Sequence, residues 1–177
     1  MTGPSFSVTA GGSWLSRFPI LHPLLGYFKA LIWPSHRSFS PYYIAAPIEK
    51  VWNGFVSKET NRTIFMGADF DVDLRPGGAM TWSGPGKDGQ RMRYVTGEVL
   101  SVQAPTRLEY KFGMGDGAVM SRVEVALTQE SEAVKVVVTN DELKDDDPAY
   151  RQNADGWPRI LSRLKTLLET GKTFRPH

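Results

Sequence analysis

Asp147-Pro148-Ala149-Tyr150-Arg151-Gln152-Asn153-Ala154-Asp155-Gly156-Trp157-Pro158-Arg159-Ile160-Leu161-Ser162-Arg163-Leu164-Lys165-Thr166-Leu167-Leu168-Glu169-Thr170-Gly171 is the stretch that organises this chain. Trp157, Ile160, Leu161, Leu164, Leu167 and Leu168 recur at the spacing of one α-helical face. Asp147 suits the N-cap, Pro148 the first helical position and Gly171 the end. Pro158 lies inside the pattern, where it removes a backbone donor and is expected to kink the helix over a cavity. A long terminal helix with one apolar face needs a large apolar partner.

The middle of the chain supplies that partner. Phe39, Tyr42, Tyr43 and Ile44 suit a first strand, and Pro47 opens a short helix through Val51, Trp52 and Phe55. A second short helix or turn is expected over Lys58 to Ile64. Apolar and polar residues then alternate in six segments: Phe70 to Leu74, Met80 to Trp82, Arg91 to Val102, Leu108 to Phe112, Val119 to Leu127, and Val134 to Thr139. Period-two alternation means one buried face and one wet face, the habit of antiparallel sheets. The connectors are short and rich in turn residues, as in Arg75-Pro76-Gly77-Gly78 and Gly84 to Gly89. The class is therefore α+β, a curved antiparallel meander closed by the last helix.

Bulk properties exclude several functions. The 177 residues suit one main domain, and a net charge of +2 gives no case for nucleic acid. The chain has no cysteine, so it holds no disulfide, thiolate zinc site or cysteine nucleophile. A cytoplasmic location is the simple reading. His22, His36 and His177 are scattered, so no metal site is expected. Gly84-Pro85-Gly86-Lys87-Asp88-Gly89 matches the dinucleotide fingerprint in letters, but it joins two strands instead of opening a helix. The acidic residues Asp141, Glu142, Asp145, Asp146 and Asp147 lack the spacing of a calcium loop and read as a solvated cap. Asn61-Arg62-Thr63 spells a glycosylation acceptor, with no secretory signal to give it meaning. No catalytic residue and no cofactor is indicated.

The first 37 residues read as an apolar extension. Pro19, Pro23, Arg17, His22 and Lys29 interrupt its apolar run, which rules against a transmembrane segment. Leu24 to Trp33 reads as a short helix that Pro34 stops, packed on the domain or serving a homodimer, a partner protein or a membrane surface. Ser35 to Ser40 reads as a linker, and 172–177 as a tail.

Four motifs in order carry a resemblance. They are Ile44-Ala45-Ala46-Pro47-Ile48-Glu49-Lys50-Val51-Trp52, then Asp73-Leu74-Arg75-Pro76-Gly77-Gly78, then Gly97-Glu98-Val99-Leu100 with Ala104-Pro105-Thr106-Arg107-Leu108, and Gly156-Trp157-Pro158-Arg159-Ile160-Leu161. Over residues 38–171 the chain resembles the SRPBCC/START superfamily with its helix-grip fold. More narrowly, it is similar to the family named after the C-terminal domain of the activator of heat-shock protein 90 ATPase. The resemblance implies a sheet of about six or seven strands around the C-terminal helix. It also implies a cavity between them for a hydrophobic small molecule or lipid. Some relatives act as cyclases or hydrolases and some contact chaperones, so an enzyme on a polyketide-like substrate and a chaperone-regulating module stand as alternatives.

Candidate cavity residues come from the inward strand faces and the last helix. The apolar set is Trp52, Phe70, Met80, Trp82, Leu108, Phe112 and Val123, with Trp157, Leu161 and Leu164 from the helix. Tyr94, Tyr110 and Arg93 add polar groups that could orient a ligand. Arg93 equally suits the wet face.

Overall fold

A computed structural model describes residues 37–38, 41–115, 120–141 and 148–175. The N-terminal extension, including the expected Leu24–Trp33 helix, and the Asp147 cap lie outside the described residues. Two short strands come first, β1 (Arg37–Ser38) and β2 (Tyr42–Ile44). Two short helices follow, α1 (Ile48–Val56) and α2 (Lys58–Ile64). The meander runs through β3 (Asp69–Val72), β4 (Ala79–Pro85), β5 (Arg91–Gln103), β6 (Arg107–Met114), β7 (Ser121–Glu130) and β8 (Ala133–Asp141). The last element is α3 (Pro148–Thr170), continuous through Pro158.

Every strand pairing is antiparallel, in the order β1-β8-β7-β6-β5-β4-β3. Strand β2 also pairs with β8, beside β1, so the two short strands share one edge of a curled helix-grip sheet. Arg37 and Ser38, expected in a linker, instead pair with Asn140 and Thr139. The far end of β8 lies beyond the reach of β2, and this segment covers it. Leu74 also departs from expectation. Strand β3 ends at Val72 because Arg75 donates its backbone N–H to the Asp73 carbonyl at 2.8 Å, starting the turn. Gly77 has φ of +79°, and a Cβ on Gly78 would lie 2.0 Å from the Asp73 oxygen, so both glycines of that motif are required by the turn.

Alternation along the strands places the core. In β8, Val134, Val136 and Val138 are fully buried, and in β7 Val123 and Val125 match them. Trp157, Leu161 and Leu164 of α3 are buried against this face, with Ile160, Leu167 and Leu168 at the margin. The helix stripe read from the sequence is thus the seam between layers. Helix α1 crosses close by: a Cβ on Gly54 would sit 2.5 Å from the Leu164 Cδ1.

The C-terminal half of α3 is fastened to β2 by polar contacts. The Tyr42 hydroxyl donates to the Pro158 carbonyl at 3.1 Å. The Lys165 ammonium donates to the Tyr43 carbonyl at 2.6 Å, and the Ala45 N–H donates to the Glu169 carboxylate at 2.8 Å. Gly156, Trp157 and Ile160, on another side of the helix, face a different environment.

Candidate functional site

Between the sheet and α3 lies a cavity of about 210 Å³, walled by Phe65, Trp82, Val95, Tyr110, Phe112, Met114, Gly156, Trp157 and Ile160. The wall is almost wholly apolar. A narrow extension of about 10 Å³ continues inward past Phe55, Asn61, Ile64, Met80 and Leu108. That is room for about one water molecule. Met114, at the rim, is exposed.

Each wall residue has a local cause. Strands β4, β5 and β6 present Trp82, Val95 and the Tyr110–Phe112 pair by alternation. Gly97 faces Phe112 across β5 and β6, and a Cβ there would lie 2.4 Å from the Lys111 carbonyl. Phe65 follows α2 and sets its ring 5.2 Å from that of Trp82, while Phe70 approaches the same indole at 4.7 Å. Tilted contacts of this kind suit aromatic quadrupoles and hold the Trp82 ring in one orientation. Tyr110 and Phe112 are in ring contact at 6.1 Å.

Asn61 anchors the inner end. It is buried, and its amide donates to the carbonyls of Ser57 at 2.9 Å and Phe55 at 3.1 Å. Its oxygen accepts from the Trp82 indole N–H at 3.3 Å. The glycosylation motif at this position is therefore a coincidence of letters, since a buried and fully engaged amide cannot carry a glycan. Tyr110 differs. It is 5% exposed and lines the cavity wall. Burial pushes its phenol pKa up, so it stays protonated and remains a donor.

Of the residues singled out from sequence, Trp82, Tyr110, Phe112 and Trp157 meet in the cavity wall, and Met80 and Leu108 line the inner extension. Trp52, Phe70, Val123, Leu161 and Leu164 belong to solid core beside it. Arg93 is exposed and pairs in register with Ser83, which settles it on the wet face. Tyr94 sits where the β4–β5 register shifts between Trp82 and Ser83. The bulge turns it over Gly84, and its hydroxyl donates to the Pro85 carbonyl at 2.7 Å, which makes it a tie at the hairpin end.

Phe65, Val95, Met114, Ile160 and Asn61 were not singled out beforehand. Ile160 was legible in the helix stripe. Asn61 carried no signal, because a polar residue on a short helix ordinarily faces water.

Gly84 to Gly89 forms the β4–β5 hairpin, with the Gly86 N–H donating to the Gln90 carbonyl at 2.7 Å. The segment joins two strands, as read. No described helix is long and apolar enough to cross a membrane.

The family described as Activator of Hsp90 ATPase homolog 1-like protein matches residues 45–169. No curated protein sequence matches the chain. Among solved structures, ChR145 from Cytophaga hutchinsonii is 25% identical with a TM-score of 0.63, over 77% of this chain and 94% of its own. PFC0360w, an HSP90 activator from Plasmodium falciparum, is 17% identical with a TM-score of 0.63, over 76% of this chain and 96% of its own. DynU16, a protein in the dynemicin biosynthetic locus, is 21% identical with a TM-score of 0.65, over 81% of this chain and 50% of its own. The last two likenesses speak to the fold.

Proposed function

The chain belongs to the Activator of Hsp90 ATPase homolog 1-like family, and on that footing we propose that it binds a hydrophobic small molecule between sheet and terminal helix. The observation that carries this reading is the cavity of about 210 Å³, whose lining holds no charged side chain. An engineered apolar cavity of about 150 Å³ accepts benzene. A molecule of one or two rings therefore suits this space better than the acyl chains of a lipid. Such sites are mostly apolar, with a few polar groups that set orientation, and Tyr110 is the polar group here.

Native mass spectrometry of freshly purified protein tests the reading. A bound mass released on denaturation is expected. Thermal denaturation against a library of small aromatic compounds provides the second arm, since a ligand at about 100 times its Kd adds about 2.7 kcal/mol of stability. A clean ligand-free mass together with no thermal shift from any compound would sink the proposal.

Two other readings rest on single observations. The buried, protonated Tyr110 phenol in the cavity wall is the group that a cyclase- or hydrolase-like activity on a polyketide-like substrate would use as a hydrogen-bond donor. Turnover lost in Tyr110→Phe would support it. The family's description and the likeness to an HSP90 activator favour a chaperone-regulating module, which predicts a change in chaperone ATPase rate on adding this protein.

A further inference from the structure

Gly156 lies well inside α3, in the wall of the cavity. Glycine is the poorest former of a helix interior after proline, because it gives up the most backbone freedom. Elsewhere in this fold its use has a steric cause. A Cβ on Gly54 would lie 2.5 Å from Leu164, and one on Gly97 would lie 2.4 Å from the Lys111 carbonyl. Gly156 has no such cause. Its backbone is ordinary right-handed helix, which side chains tolerate, and the helix runs on to Thr170. A Cβ built there would meet no atom of the described residues within 4 Å.

The empty space belongs to the cavity. Ile160, one turn further along, lines the same wall. Residues four apart share a helix face, and each Cβ leans toward the helix N-terminus. A side chain on Gly156 would therefore stand beside Ile160 and take up room in the cavity of about 210 Å³. We infer that Gly156 sets the size of the molecule this cavity accepts: a ligand ring lies against the bare helix backbone, in the place that a side chain would fill. The same glycine weakens the helix and enlarges the binding space. This inference rests on the cavity-binding reading above and assigns the residue that limits ligand size.

The test titrates benzene and naphthalene calorimetrically into the full chain and into Gly156→Ala and Gly156→Leu. The intact protein should bind both probes. Gly156→Leu should weaken naphthalene at least about tenfold, a difference of about 1.4 kcal/mol, and benzene less than about threefold. Gly156→Ala should weaken naphthalene by a smaller factor and raise the Tm of the ligand-free protein by about 2–4 °C. Because alanine favours the helix, this variant carries the test alone if the leucine variant does not fold. Naphthalene binding unchanged in the folded variants, or both probes weakened alike, would overturn the size role and leave the cavity reading standing. So would an intact protein that binds benzene alone. A lowered Tm in Gly156→Ala would also overturn it and assign the glycine to the accommodation of Pro158 in the helix. If neither probe binds the intact protein, the cavity reading fails and this inference with it.

Discussion

The indole N–H of Trp82 donates to the side-chain oxygen of Asn61 at 3.3 Å, joining β4 to the short α2 helix. Through this bond a buried amide orients one of the two indoles of the cavity wall. The same amide holds the carbonyls of Phe55 and Ser57 between the two short helices. One residue thus ties helix entry, helix exit and cavity wall together.

Replacing Asn61 by Ala should leave buried carbonyls and an indole N–H unpaired. A buried group left unpaired costs about 1–3 kcal/mol, so a loss of at least ~2 kcal/mol is expected in urea denaturation. A midpoint unchanged from the parent protein would show that water replaces the amide.

Gly54→Val should destabilise the domain. The added Cβ would meet Leu164 Cδ1 at 2.5 Å, and overpacking of this kind costs ~1–3 kcal/mol. Combining it with Leu164→Ala should recover part of the loss. Additive losses in the double-mutant cycle would mean that α1 and α3 adjust independently.

Trp157→Ala removes one of the residues that line both the cavity and its inner extension. A loss of ~3–5 kcal/mol is expected on thermal denaturation. A loss below ~1 kcal/mol would place the indole outside the cooperative core.

Glu169 accepts hydrogen bonds from the Ala45 N–H and the Lys165 ammonium, and these hold its carboxyl below its ordinary pKa of 4.5. A depressed folded-state pKa contributes stability above the unfolded value that is lost as pH falls through the folded one. The parent protein should therefore lose more stability than Glu169→Gln between about pH 6 and about pH 3. Parallel acid profiles would remove the role assigned to this fastening of β2 to α3.

Tyr110 predicts the opposite limb. Burial raises its phenol above the ordinary 10.0, so its contribution is fully present below that value and is lost as pH rises beyond it. Absorbance titration should show one tyrosine resisting ionisation until alkaline unfolding. In Tyr110→Phe that resistant class should vanish. A resistant tyrosine that persists in the variant would assign the signal elsewhere.

The order of elements was readable from residues alone. Alternation in β6, β7 and β8 and the six-residue stripe of α3 record which face meets water, and a one-residue error would have inverted them all. The turn chemistry of Arg75-Pro76-Gly77-Gly78 was equally plain, because few residues tolerate that backbone. The cavity was less legible. Trp82, Tyr110, Phe112 and Trp157 were identified, yet they looked the same as Trp52, Phe70 and Val123, which pack solidly.

The cause is physical. Periodicity is a local property, and it reports the direction a side chain takes but not the space it meets. Whether an inward residue touches another side chain or an empty volume depends on the curl of the sheet and on how closely α1 and α3 approach it. Tyr94 left the wall because a bulge, invisible in the letters, turned it onto Gly84. Phe65 joined the wall because Asn61 and Trp82 drew α2 against β4. Asn140 shows both levels at once. Its inward position follows from the valine series before it, while its lack of a partner emerges only once β8 is paired with β7 and the side chain is buried.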